Sequence, residues 1–256
     1  MTRAAYRVEL LKLRRSRVPA VAAVVVLLAP PLLAWAFMTA GTRGQGDPLS
    51  AKVNALSFGE GWSGYLNGLT QIAATGGFVG IGIVATWCFG REFADRQVVS
   101  LYASATSRRD VAGAKLMILI GWSLVVAIMS APAALGIGLL AGLGNPDAST
   151  WVSLLRLVAL HTLTGSLALT AGLFASAGRG YLAGFAGLIG LVVTPQLAIA
   201  VGAGSWFPWS APGLWAIAPL NPGFPLVPGW HLLLVPLAAL VTAGLTVAWW
   251  ETAELR

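Results

Sequence analysis

The chain has 256 residues, of which 57% are hydrophobic and only 10% are charged, with a net charge of +7. Soluble domains carry about a quarter charged residues, so this composition excludes an ordinary soluble protein and favours a bundle of membrane helices. The basic residues are not spread as a nucleic-acid-binding patch, so we expect no nucleic-acid partner. Cys88 is the only cysteine, which excludes an intramolecular disulfide and a cysteine-based metal site.

The first element in chain order is a basic segment, residues 1–17. Tyr6, Leu10 and Leu13 recur in it at helical spacing among arginines and lysines, which predicts a short helix lying on the inner membrane surface. One alternative is a basic tail that only orients the first span. Another is a secretory signal sequence, since Ala-Trp-Ala at 34–36 resembles a cleavage site.

Six apolar segments follow, each at least as long as the roughly 20 residues that a helix needs to cross the hydrocarbon. Pro30 and Pro31 should bend the first helix or end it early, and Pro132 should kink the third. The predicted spans are 18–38, 66–88, 111–143, 152–177, 181–201 and 231–250.

The distribution of basic residues predicts the orientation. With both termini in the cytosol, thirteen lysines and arginines lie inside and three lie outside. Cytoplasmic loops carry an excess of lysine and arginine, so we predict a multi-pass protein of the plasma membrane with both termini cytoplasmic. The three outside are Arg43, Lys52 and Arg156.

The long charged stretch between the second and third spans, residues 89–110, is the most distinctive feature of the chain. Five residues recur in it at the spacing of one apolar helix face: Ala94, Val98, Leu101, Tyr102 and Ala105. This pattern predicts a short amphipathic helix, and Ser107 followed by Asp110 predicts the N-cap of the third span. The helix either docks in a groove of a cytosolic partner or merely covers the cytosolic end of the bundle.

Glu92, Ser107, Arg108 and Lys115 occupy positions at which the sequence resembles the permease subunits of type-two ATP-binding-cassette exporters. Arg96-Gln97 stands where that family commonly has Gly-Thr, and Ala105 stands where it commonly has proline. The resemblance in layout extends over the whole chain. It implies an all-α membrane protein that forms a single permease domain, with an N-terminal interfacial helix, six transmembrane helices and a cytoplasmic coupling helix between the second and third spans.

The resemblance further implies that separate subunits supply the energy. The chain has no G-x-x-x-x-G-K-[ST] loop to hold the phosphates of ATP, so we expect two cytosolic ATPase subunits to bind ATP and Mg. A second permease chain, identical or related, would complete the path. We expect no catalytic, cofactor or metal site in this chain. The residues expected to couple it to the ATPase are Glu92, Val98, Leu101, Tyr102, Arg108 and Arg109.

Polar residues within the spans are few, and intramembrane polar residues are candidates for a substrate path. The candidates are Asn67, Gln71, His161 and Gln196. Such an apolar path suits a hydrophobic or amphipathic cargo, such as a drug, a lipid-like compound or an antimicrobial peptide. The middle of each span lacks aspartate and glutamate, which weighs against a proton-coupled carrier.

Residues 204–229 are rich in proline and tryptophan and contain no charge. The segment is too broken by proline for a span and too apolar for an ordinary exposed loop. We expect it to pack against the outer ends of the spans, as an aromatic belt or as a lid over the exit of the path.

Two other functions fit parts of the sequence. Gly-Trp-Ser-Gly at 61–64 matches a short pattern of some intramembrane serine proteases, with Ser63 as nucleophile and His161 or His231 as base. A non-transporting sensor or anchor subunit is the other alternative.

Overall fold

The computed structural model describes residues 3–41, 59–95, 106–219 and 226–253. These residues form helices and connecting turns, without strands, and six helical stretches are long and apolar enough to cross a membrane. The predicted all-α architecture with six spans is therefore confirmed. The elements are α1 (Arg3–Arg15), α2 (Arg17–Gly41), α3 (Gly61–Ala94), α4 (Arg108–Leu140), α5 (Ala148–Ala168), α6 (Thr170–Ala177), α7 (Tyr181–Ala200), α8 (Ala211–Ile217), a 3-10 turn (Gly229–Leu233) and α9 (Leu234–Thr252).

The first span, α2, continues past its two prolines, so the prediction of an early end was wrong. Pro30 and Pro31 are both buried where α2 packs on its neighbours. In a membrane helix, neighbouring helices can compensate for backbone hydrogen bonds that proline removes. The helix accordingly reaches Gly41.

The second span, α3, reaches Ala94 and therefore includes the beginning of the predicted loop 89–110. Phe89 is fully buried there and meets Trp250 edge-on, with ring centroids 6.0 Å apart. Glu92 is also buried within this last helical stretch. Packing and ion pairing thus extend the helix beyond the apolar run. The prediction used only the apolar run and therefore ended the span too early.

The second, third and fourth spans form the centre of the bundle. The Tyr65 hydroxyl donates to the Ala134 carbonyl at 2.9 Å and fixes α3 against α4. Close to the opposite end, Trp250 Nε1 donates to the Ser176 hydroxyl at 2.9 Å and fixes α9 against α6. The first, fifth and sixth spans lie outside this centre and expose much of their apolar surface.

Two glycines of α3 place the first and fifth spans on different sides of it. A Cβ at Gly80 would collide with Val26 of α2, and one at Gly82 would collide with Leu188 of α7. Glycine permits this close approach because it has no side chain. The second span therefore lies between the first and the fifth.

The described part of the 204–229 segment packs onto the spans. The short helix α8 buries Ala211, Leu214 and Ala216 and contacts α3 and α5. Trp206 and Trp230 stay more than half exposed, and their ring centroids lie 4.9 Å apart. Residues 220–225 of the segment lie outside the described residues.

Candidate coupling site

A buried ion cluster joins α1 to the ends of the second and third spans. Lys115, on α4, is fully buried, and its ammonium group is 2.6 Å from Glu9 Oε2 and 2.7 Å from Glu92 Oε1. Its third hydrogen bond goes to the Cys88 carbonyl at 3.2 Å. A lysine ammonium has three donors, so Lys115 is fully satisfied without water.

Lys12 completes the cluster from the side of α1. Its ammonium is 2.7 Å from Glu9 Oε1 and 3.0 Å from Glu92 Oε1, and its side chain is 25% exposed. Two cations and two anions therefore balance in charge, which is what permits their burial. We call Glu9, Lys12, Glu92 and Lys115 the charge cluster.

The edge of the charge cluster is less completely bonded. Among the described residues, Glu92 Oε2 and Arg91 Nε are buried without a hydrogen-bond partner. Arg91 Nε lies 3.7 Å from Glu92 Oε1, and its guanidinium lies 4.7 Å above the Trp87 ring. Arg91 is thus held over an aromatic face rather than extended into solvent.

Local sequence explains how each member reaches the cluster. Glu9 and Lys12 are three residues apart and hence on one face of α1. Glu92 lies in the last turn of α3, and Lys115 lies two turns into α4. The start of α4 is fixed by Ser107, whose hydroxyl accepts from the Asp110 N–H at 3.1 Å, so the predicted N-cap is confirmed.

Helix α1 packs on the protein through Glu9 as well as through part of its predicted apolar face. Ala5 and Glu9 are buried, whereas Tyr6 is 38% exposed. Leu13 lies partly buried against the core. Ion pairing with the spans turns Glu9 inward, while the Tyr6 side remains available to the surroundings. The placement of this helix on the membrane surface stays a prediction.

Arg108 and Arg109 connect the start of α4 to the end of the last span. Arg108 donates to the Ala253 carbonyl at 2.7 Å and to the Glu251 carbonyl at 3.0 Å, which caps the C-terminus of α9. Arg109 lies 3.7 Å from the Glu251 carboxylate in an exposed ion pair. Together with the charge cluster, these contacts place α1, both ends of the charged loop and the end of α9 at one end of the bundle.

Not all of the residues expected to meet the ATPase can be located. Val98, Leu101 and Tyr102 lie outside the described residues. Glu92 was expected to flank the coupling helix, and the structure places it inside the protein against Lys115. The direct contact of any of these residues with an ATPase stays a prediction.

Sequence reasoning missed Glu9 and Lys12 as site residues. Glu9 is the single acid among the first seventeen residues, surrounded by six basic ones. A lone acid in a basic helix, spaced to pair with Lys12, was a usable indication of a buried partner. Its distant partners, Glu92 and Lys115, could be joined to it only through the fold.

At the other end of the bundle, a half-open cavity of about 230 Å³ lies between α3, α5, α7 and α8. Two of the predicted path residues, Gln71 and Gln196, line it together. Thr75, Thr164 and Ser210 add hydroxyl groups, and the remaining wall is mostly apolar. This cavity has no ionisable side chain among its described lining residues.

The other two predicted path residues lie behind this wall. Asn67 Oδ1 accepts from Gln71 Nε2 at 2.9 Å and so holds the Gln71 side chain. His161 is buried, bonds the Leu157 carbonyl through Nδ1 at 3.1 Å, and lies against Gly77. The structure therefore divides the four residues into two that line the cavity and two that do not.

The described residues contain no serine–histidine pair suited to proteolysis. The Ser63 hydroxyl donates to the Glu60 carbonyl at 2.9 Å at the surface. His161 is buried against Gly77 of α3, and His231 packs against the rings of both Trp206 and Trp230. The geometry required of a nucleophile and its base is not found at these residues.

Comparison with known families assigns most of the chain to one family. Residues 5–194, about three quarters of the chain, match the family model described as ABC-2 family transporter protein. The matched region contains the whole charge cluster and Gln71. A search of the curated proteins gave no match.

Proposed function

Because this chain belongs to the ABC-2 family of transporter proteins, the membrane permease subunits of ATP-binding-cassette transporters, we propose that it exports hydrophobic or amphipathic compounds or peptides from the cell. Membership makes it a multi-pass membrane protein that associates with ATP-binding subunits. Family members normally lack an ATPase site of their own. Direction, cargo and the details of coupling are the proposal.

The observation that carries the coupling proposal is the charge cluster. Its ion pairs join α1 to the end of the second span and to the start of the third span. These two span ends are also the two ends of the loop between Asp95 and Thr106. A force applied to that loop would reach three helices at once, because their charged groups cannot separate without exposing unpaired buried ions.

We propose that this end of the bundle faces the cytosol. The contacts of α1, the loop ends and the C-terminal end of α9 put eleven of the twelve lysines and arginines among the described residues on or near one end. The excess of lysine and arginine in cytoplasmic segments supports this orientation. The protein would then have both termini in the cytosol of a cell whose plasma membrane it spans.

Within the loop, Val98, Leu101 and Tyr102 would insert as apolar anchors into a groove of the ATPase. Arg109 is exposed beside the loop and could guide docking by charge. Glu92 and Arg108 would act indirectly, since both are engaged within the chain. ATP and Mg would be bound by two such ATPase subunits.

The cargo proposal rests on the outer cavity. Its wall combines apolar side chains with the neutral polar groups of Gln71 and Gln196, a lining suited to a molecule with much apolar surface and few charges. The cavity is half open, so a second permease chain, identical or related, could close it. Helix α8 and Trp209 line this cavity and would form its lid on the outer side.

Replacement of Leu101 by aspartate tests this function. The change should place an unpaired charge in the docking groove, which costs several kcal/mol and should abolish a modest interface. The spans should insert normally because the change lies outside the hydrocarbon. We expect the variant in the membrane without its ATP-binding subunit, or without substrate-stimulated ATP hydrolysis, in affinity purification followed by a hydrolysis assay.

Leu140→Asp is the matched control, since Leu140 is 88% exposed at the opposite end of the third span. It should retain the ATP-binding subunit. Full assembly and transport by Leu101→Asp would refute the coupling role of the loop. An assembled wild-type complex whose hydrolysis no amphipathic substrate stimulates would instead favour a sensor or anchor subunit.

A further inference from the structure

An apolar groove runs along the outside of the first span and ends at Arg17. It has a volume of about 360 Å³ and lies between α2 and α3. Val21 and Val25 form one wall, and Gly80 and Ile83 form the other. Arg17 lines one end of it, at the same end of the bundle as the charge cluster.

The groove exists because α2 and α3 approach closely at one point and separate beside it. Gly80 contacts Val26 so closely that a Cβ would not fit. Because Gly80 has no side chain, it leaves the adjoining part of the groove wall open. Val21 and Val25 are 59% and 53% exposed, so no described side chain covers the groove.

The charge at the end of the groove is uncompensated. Arg14, Arg15 and Arg17 are all exposed, and the ion pairs among the described residues include none of them. Glu9, the single acid of the N-terminal segment, is buried against Lys115. The ion pairing of the charge cluster thus engages the one negative group of the N-terminal segment.

From these observations we propose that the groove binds an anionic phospholipid. The phosphate would lie at Arg17, with Arg14 and Arg15 nearby, and one acyl chain would lie along Val21 and Val25. From Arg17 to Val25 the helix rises about 12 Å, which fits within one leaflet of a hydrocarbon core about 30 Å thick. The anionic lipids of the cytoplasmic leaflet are in reach if the orientation proposed above holds.

Charge and geometry favour a lipid over a second copy of the chain. In a twofold contact through this groove, Arg17 of one copy would face Arg17 of the other without a described acid between them. A phospholipid instead supplies both a negative headgroup and an apolar chain in the order that the groove requires. The site is separate from the outer cavity, so it would modulate the transporter rather than hold its cargo.

Native mass spectrometry of the purified full-length chain tests this proposal, with phosphatidylglycerol and phosphatidylcholine of identical acyl chains as probes. We expect about fivefold stronger retention of phosphatidylglycerol, the factor expected for one basic residue near an anionic group. Arg17→Gln should remove this preference, and Arg7→Gln, the same charge change away from the groove, should preserve it.

The apolar half of the site has its own matched pair. Val25→Trp should fill the groove and reduce retention of both lipids at least threefold, whereas Val24→Trp, on an adjacent residue of similar exposure outside the groove, should not. Equal retention of both lipids by the wild-type chain would overturn the proposal. A dimer that Val25→Trp dissociates, with lipid retention unchanged, would overturn it in favour of a contact between copies.

Discussion

The two ends of the bundle hold polar groups in opposite ways. At the end that holds the charge cluster, four ionised side chains neutralise one another in a buried cluster, and Lys115 has all three of its donors engaged. At the opposite end, Gln71 and Gln196 face a half-open cavity without an ionisable side chain among its described lining residues. A buried cluster of ion pairs suits a rigid contact between helices. Uncharged polar groups on an open apolar wall suit a ligand that binds and dissociates.

The comparison indicates that the buried charges of the described residues hold helices together, whereas the cavity is lined by neutral polar groups. Removal of a buried charge should therefore damage the fold, and removal of a cavity amide should change transport alone. The experiments below test that separation, beginning with the largest expected effect.

Lys115→Met should give the largest loss of stability. It leaves Glu9 and Glu92 with one cation between them, and breaking a buried ion pair costs about 3–5 kcal/mol. Thermal unfolding of the purified chain in detergent measures the effect. Lys12→Met is the control, with a smaller loss of about 1–2 kcal/mol because Lys12 is a quarter exposed. An equal or larger loss for Lys12→Met would contradict the central place of Lys115.

Arg108→Gln should destabilise the contact between the third and last spans by about 1–2 kcal/mol, since it loses two hydrogen bonds from a charged donor to the carbonyls that end α9. Its neighbour supplies the comparison. Arg109→Gln removes only an exposed ion pair and should change stability by about 0–1 kcal/mol. Hydrogen exchange at residues 248–253 follows both variants, and indistinguishable exchange in the two would count against the capping role of Arg108.

Gln196→Leu should leave thermal stability unchanged and weaken transport of a cargo that hydrogen-bonds to the cavity. One lost hydrogen bond of about 1 kcal/mol corresponds to about a fivefold rise in the cargo concentration needed for half-maximal stimulation of ATP hydrolysis. Thr194→Val, on the same helix but outside the cavity lining, should have no such effect. The same rise in both variants would mean that the cavity is not the cargo site.

The smallest effect should come from Asp147, which caps the N-terminus of α5. Hydrogen bonds from the Thr150 hydroxyl, the Thr150 N–H and the Ser149 hydroxyl lower the pKa of this carboxyl from 3.8 to about 2. A lowered pKa means that the carboxylate stabilises the fold fully above pH 3.8 and loses this contribution as the pH falls towards 2.

The stability difference between the wild-type chain and Asp147→Asn should therefore be constant from neutral pH to about 4 and shrink on further acidification. Thermal unfolding at a series of pH values measures it. A difference that grows on acidification would contradict the capping account.

The sequence was sufficient for the number and approximate position of the spans, because about 20 consecutive apolar residues have few other uses. It was insufficient for helix ends that depend on tertiary contacts. The first span continues through Pro30 and Pro31 because neighbours bury them, and the second continues to Ala94 because Glu92 finds Lys115. Neither the burial of the two prolines nor the pairing of Glu92 can be predicted from the residues next to them in the sequence.

The candidate site divides in the same way. Glu92 and Lys115 could be selected by resemblance, and the Ser107 cap could be read from Ser107 and Asp110 in the local sequence. Glu9 could not be joined to Lys115, 106 residues away, without the fold. Similarly, Gln71 and Gln196 were predicted as separate polar residues, and the packing of α7 beside α3 brought them to one cavity.

The central claim is that the loop between the second and third spans contacts the ATP-binding subunit. A photo-crosslinking amino acid at Leu101, introduced into the chain within the assembled complex, tests it most directly. The same group at Leu140, at the opposite end of the third span, serves as the control. We predict a crosslink to the ATP-binding subunit from position 101 and none from position 140. Absence of a crosslink at 101, or its appearance only at 140, would contradict the account.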